Sequence, residues 1–170
     1  MTTPALASYI GPCIGPAVIT IVMAAAASDL HRRRIPNWLT FGAWMLALPA
    51  QVALHGTTGG AASWALGWLA GLGVFLPFYL LRGMAAGDVK LMAAVGAWLG
   101  ATMALQIALA AFVLGGAWAL VLVMKSRRHA QLVRNIGGIL RTGAGGPSVG
   151  SMPYGVAIAA GTLAMLFTSQ

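Results

Sequence analysis

The chain is a succession of apolar stretches broken by short polar or basic punctuation, and this alternation leaves few folds open to it. Six stretches can be marked, at about Tyr9–Ser28, Trp38–Leu54, Ala61–Leu81, Val89–Gly100, Met103–Met124 and Pro153–Thr168. A helix of about 20 apolar residues crosses the ~30 Å hydrocarbon layer of a bilayer, and each stretch reaches or approaches that length. Hydrophobic residues make up 59% of the chain and charged residues 7%, a balance far from that of soluble domains. The expected fold is all-α: a polytopic membrane protein of about six transmembrane helices, with residues 1–170 forming one membrane-embedded domain. From Asp88 to Met124 the charged residues are Asp88 and Lys90 alone. That run is too long for one ordinary span, so a turn is expected near Gly100–Thr102.

Charge placement orients this arrangement. Arg32, Arg33 and Arg34 follow the first stretch, Arg82 and Lys90 flank the turn after the third, and Lys125, Arg127, Arg128, Arg134 and Arg141 follow the fifth. If six spans alternate, all ten basic residues fall on one side. The positive-inside rule makes that side cytoplasmic and puts both termini outside the cytoplasm. Met1–Ser8 carries no lysine or arginine, so the N-terminus reads as the start of the first span rather than a signal peptide. The net charge of +8 is spread between apolar spans, which points to anionic lipid headgroups as partners and not to nucleic acid. Within the basic segment at about 125–151, Leu132, Val133, Ile136, Ile139 and Leu140 recur at helical spacing. Arg127, Arg134 and Arg141 form a second stripe, as in an amphipathic helix lying on the inner leaflet, or a surface that docks a partner. Gly11/Gly15, Gly67/Gly71 and Gly96/Gly100 are spaced for close approach of helix backbones. Pro12, Pro16, Pro49 and Pro77 are expected to kink or open their helices.

The acidic residues are fewer still. Asp29 and Asp88 are the only carboxylate side chains, each at the edge of an apolar stretch beside basic residues. Asp88 is placed to cap the helix that it opens, since carboxylates are stabilising near a helix N-terminus. Asp29 closes its helix, where the dipole works against it. Ionisable groups at a membrane boundary are costly and mark function by default. Two carboxylates at one site can share a proton, one serving as base and the other as acid. One cysteine, Cys13, excludes an internal disulfide and a cysteine-rich zinc site, and reads as a packing residue. His31, His55 and His129 fall in separate segments, so no metal and no cofactor are expected. The absence of Gly-x-Ser-x-Gly and His-Glu-x-x-His argues against serine and zinc proteases.

Three motifs then occur in order: Asp29 followed by Arg34-Ile35-Pro36-Asn37, the run Gly83-Met84-Ala85-Ala86-Gly87-Asp88-Val89-Lys90-Leu91, and Met152-Pro153-Tyr154-Gly155. Together they resemble the type IV prepilin peptidases, membrane aspartic proteases of the Gly-x-Gly-Asp class. The nearest resemblance is to the small, protease-only members associated with Flp (tight-adherence) pili. It implies that Asp29 and Asp88 are the catalytic pair and that Gly87, Lys90, Arg34, Pro36, Asn37, Pro153, Tyr154 and Gly155 support the site. It also implies a prepilin or pseudopilin substrate, cut at the cytoplasmic face of a bacterial inner membrane between a short basic leader and a hydrophobic helix. Larger relatives add a methyltransferase region with a cysteine-rich insertion, which this chain lacks, so cleavage without N-methylation is expected. Pro153-Tyr154-Gly155 can equally be the first turn of the last span. The class motif has glycine where this chain has Ala85; if that position is left-handed, alanine costs about 1–2 kcal/mol there. A leader peptidase for other pilin-like substrates, a small proton-coupled transporter and an inactive assembly scaffold are the competing readings.

Overall fold

The computed structural model describes residues 4–125 and 154–168. They form four helices: α1 (Pro4–Arg32), α2 (Asn37–Leu80), α3 (Ala86–Lys125) and α4 (Tyr154–Thr168). Of the amphipathic segment expected at about 125–151 all but Lys125 lies outside the described residues, as does Pro153. Among the described residues three stretches are long and apolar enough to cross a membrane: Ala7–Arg32, Asn37–Leu80 and Ala86–Val121. The chain is thus a helical membrane protein, as its apolar stretches require.

The two longest helices are not straight rods. In α2 the backbone leaves helical geometry at Gly56 (φ 79°, ψ 171°), and in α3 at Gly100 (φ 82°, ψ 172°). Both conformations are open essentially to glycine alone. Each helix folds back on itself there. The Trp64 indole donates to the Trp44 carbonyl at 2.9 Å, although 20 residues of straight helix would separate them by about 30 Å. Ala104 Cβ comes within 3.2 Å of where a Cβ on Gly96 would stand, against about 12 Å along a straight helix. Chain reversal therefore falls in the gap between the second and third apolar stretches and at the turn expected near Gly100–Thr102, but each takes one glycine and not a loop. The prolines at 12, 16, 49 and 77 stay within helices whose only non-helical residues are these two glycines.

The first arm of α3 forms the centre of the bundle. Residues 91–98 are all buried, so this arm is apolar on every face because every face is covered. Its Leu91, Met92 and Val95 cluster with Phe75 from α2, Ile107 from the second arm of α3, Val18 and Val22 from α1, and Ile158 from α4. Close approach to α2 depends on small residues. A methyl group on Gly67 would overlap the Gly96 carbonyl, and one on Gly71 would overlap that of Met92. Of the spaced glycine pairs, Gly67/Gly71 and Gly96 therefore make backbone contacts, whereas Gly15 has nothing within 4 Å. Polar side chains add bonds between these helices: Trp98 Nε1 donates to the Ala43 carbonyl (2.8 Å), and Gln51 Nε2 to that of Trp98 (2.6 Å). The outer surface exposes Leu46, Leu66, Leu109 and Leu120, an apolar exterior suited to lipid.

Gly67→Ala is expected to cost about 1–3 kcal/mol by overpacking a contact that only backbone can yield to. Gly15→Ala should leave stability unchanged or slightly improved. Thermal unfolding of the two variants in the same detergent checks the contrast.

Candidate active site

The link between α1 and α2 places Asp29. The helix ends because Arg33 adopts a left-handed conformation (φ 53°), its N–H returning to the Asp29 carbonyl at 2.9 Å. Ser28 Oγ donates to the Arg34 carbonyl at 2.9 Å and tightens the same turn. Pro36 is extended (φ −64°, ψ 136°) and starts α2. Between them Ile35, an isolated apolar residue in a basic link, is buried against Gly87 of α3. A Cβ on Gly87 would stand 3.2 Å from the Ile35 Cβ, so glycine is needed here for approach, not for backbone conformation. This contact fastens the end of α1 to the start of α3.

Asp88 occupies the first turn of α3, and its Oδ2 accepts the Ala85 N–H at 3.3 Å. That is half of a capping box, with Ala85 at the cap position. The capping role expected of Asp88 is thus present. Among the described residues the non-glycine positions with positive φ are Arg33 and Arg82 (φ 58°). Ala85 is not among them, so the cost considered for a left-handed alanine does not arise. Arg82 takes the left-handed position instead. Gly83 N–H reaches the Phe78 carbonyl and Arg82 N–H that of Tyr79, both at 2.9 Å, as in a Schellman motif.

Asp29 finds a helix N-terminus too, though not its own. Its Oδ2 accepts the N–H of Gly155, in the first turn of α4, at 2.9 Å. A Cβ on Gly155 would stand 3.0 Å from that oxygen and 3.2 Å from the Asp29 Cβ. Both carboxylates therefore rest on the positive ends of helices, which offsets part of the cost of their burial. Only 8% of Asp29 and 5% of Asp88 is exposed.

The two aspartates line one cavity of about 590 Å³ and lie close enough to interact electrostatically. Of the residues picked out from the sequence, Gly87, Lys90, Arg34, Pro36 and Asn37 line it as well. Lys90 Nζ donates to Asn37 Oδ1 at 2.9 Å, joining two of those motifs across 53 residues. Gly155 stands behind Asp29. Tyr154 is half-buried and does not line the cavity: its hydroxyl donates to the Ala111 carbonyl (3.3 Å), and its ring packs edge-on to Phe75 at 6.0 Å. Arg33, Ile35 and Ala86 also line the cavity; of these, Ile35 and Ala86 stand within motifs read from the sequence but are given no role of their own there. The available signal was Ile35 itself, a lone apolar side chain between arginines and a proline. Two buried carboxylates sharing a solvent-sized space with basic residues on its rim can hold and move a proton without any further group.

Replacing the strained Arg82 by glycine should stabilise the protein by about 1 kcal/mol through relief of the left-handed conformation. Denaturation of the R82G variant alongside wild type tests this.

No curated protein and no solved structure matches the chain. The sequence does match the Type IV leader peptidase family over residues 17–120, a stretch that includes both aspartates and the rest of the cavity lining. This helical membrane protein belongs to the type IV leader peptidase family of proteases.

Proposed function

We propose that the protein is a membrane aspartic endopeptidase that removes the short basic leader from prepilins or pseudopilins, with Asp29 and Asp88 as its catalytic pair. The observation that carries this reading is the meeting of the only two carboxylate side chains of the chain in one cavity, in a member of a leader peptidase family. One ionised aspartate takes a proton from a water held between the carboxylates, and the resulting hydroxide adds to the scissile carbonyl carbon. The protonated partner hydrogen-bonds the carbonyl oxygen. When the C–N bond breaks, the leader keeps the new carboxyl group and the leaving amine receives a proton from the dyad. Neither a metal nor a covalent intermediate takes part in this scheme. The new N-terminus is left unmethylated.

In this reading the chain crosses the inner membrane of a bacterium six times. The Arg32–Arg34 link and the Arg82–Lys90 turn face the cytoplasm, where anionic headgroups neighbour the basic residues. The fold-backs at Gly56 and Gly100 support that count, since each divides a long apolar helix into two arms. The cavity lies at the end of the bundle where α1 stops and α3 starts, and this supports a cut at a membrane boundary.

Cleavage of a prepilin in membranes by wild type, Asp29→Asn and Asp88→Asn tests the proposal. Loss of either carboxylate should lower kcat by about 10²–10⁴, the usual worth of general acid–base catalysis. A variant that is inserted at the wild-type level and still cuts at the wild-type rate would rule out the dyad. The pH–rate profile should be bell-shaped, because one carboxyl must be ionised and one protonated. Activity rising steadily into alkaline pH contradicts the shared proton. Gly155→Ala, whose methyl group presses on the Asp29 carboxylate, should lower kcat while the helix content measured by circular dichroism stays unchanged.

A further inference from the structure

A second cavity, of about 480 Å³, adjoins the first and shares two residues with it, Asn37 and Lys90. Beyond that shared pair its walls are Thr40, Phe41, Trp44, Trp68, Leu72 and Ala93, with no charged side chain among them. Positions 37, 40, 41 and 44 form a single stripe along α2. The groove therefore runs parallel to the helix for about 10 Å, from the carboxylate cavity into the apolar layer. Its deep end is stiffened by aromatic contacts: Trp44 stacks on Trp64 with centroids 4.8 Å apart, and Trp68 lies 6.1 Å from Trp44. Phe41 at its side is 60% exposed.

We propose that this groove receives the apolar segment of the substrate, its first two turns on the carboxyl side of the scissile bond. The inference rests on the reading of Asp29 and Asp88 as the peptidase centre. Three features commit the groove to this occupant. It adjoins the carboxylate cavity at Asn37 and Lys90, which line both, so one chain that passes this pair reaches both cavities. Its wall chemistry changes from charged to apolar at that junction, and a precursor cut at a leader–helix boundary changes in the same order. Its axis follows a helical stripe on α2, the geometry in which an amphipathic or apolar helix packs into a groove. The hydrogen-bonded Lys90–Asn37 pair then marks the point where the bound chain passes from polar to apolar surroundings, and sets the register of the scissile bond against the carboxylates. Phe41, Trp44, Trp68 and Leu72 become specificity residues for the helix. The leader, on the other side of the cut, makes no use of them.

The test places a photo-crosslinking amino acid at position 41, or at the equally exposed position 109 of α3 as a control, in the full chain in lipid vesicles. The probe is a synthetic prepilin peptide carrying leader and apolar segment, and cleavage is read on the same samples. The expected result is cleavage together with adducts at position 41 that map to the apolar segment, and none at position 109. In addition, Leu72→Trp, which fills the groove, should raise KM about tenfold for this peptide with little change in kcat. A peptide cut short after the scissile bond should be cleaved alike by Leu72→Trp and wild type. Cleavage with adducts that map to the leader, or equal labelling at positions 41 and 109, overturns the groove assignment and leaves the peptidase standing. So does lipid labelling at position 41 that the peptide does not diminish. Absence of cleavage of any precursor removes the peptidase reading, and the groove's assignment as a substrate site falls with it, whatever position 41 labels.

Discussion

Backbone lies against backbone where the second arm of α2 crosses the first arm of α3, and the rest of the molecule is arranged around that contact. Gly67 faces the Gly96 carbonyl and Gly71 that of Met92, with no room between them for a methyl group. In lipid there is no hydrophobic gain from bringing two apolar helices together, so association depends on close packing and on hydrogen bonds across the interface. The glycines supply the first. The Trp98 and Gln51 side chains supply the second, where the same arm of α3 meets the first arm of α2. The outcome is a central helical arm covered on all sides, whose N-terminal turn carries Asp88 to the end of the bundle where α1 stops.

Burial of two carboxylates in such a bundle needs compensation, and two different helices provide it. Asp88 caps α3 from inside the same turn, whereas Asp29 reaches the first turn of α4, 126 residues away in sequence. The dipole of α1 is unfavourable for Asp29, and the N-terminus of α4 opposes it. The same contact explains Gly155: any side chain there would displace the carboxylate that its N–H holds. Capping therefore does not compete with the catalytic role proposed for these residues. Hydrogen bonds from helix ends fix each carboxylate at one oxygen while the cavity keeps the pair within reach of each other. Such fixing of a reactive group by its supporting shell is a general requirement of a working site.

The cavity and the groove beside it share Lys90 and Asn37, and this junction changes what the basic residues near the aspartates are for. Arg33, Arg34 and Lys90 are three of the ten cations of the chain, and all three line the carboxylate cavity. Cations that face the cytoplasm in the proposed topology thus also form the charged part of the cavity lining. The aromatic wall of Phe41, Trp44 and Trp68 begins one turn further along α2.

Much was legible in the sequence, for identifiable reasons. Helical class and membrane location follow from the length and apolarity of the stretches, because a backbone in lipid must satisfy its own hydrogen bonds. The two aspartates stand out because the chain has no other carboxylate side chain, and the reversals near Gly56 and Gly100 fall where apolar runs are too long for one crossing. Other features could not be read there. Gly11/Gly15 has the same spacing as Gly67/Gly71, yet Gly15 meets nothing, since spacing records a helix face and not what lies opposite. Ala85 looked like a strained substitution, whereas the left-handed residue is Arg82, because turn conformation depends on where the preceding helix stops. Local sequence determined which segments are helical and which residues are rare. Tertiary structure alone decided which helix end faces Asp29, which glycines are in contact and where an apolar groove opens beside the carboxylates. Each of these is a contact between residues distant in the chain, and no local pattern encodes its partner.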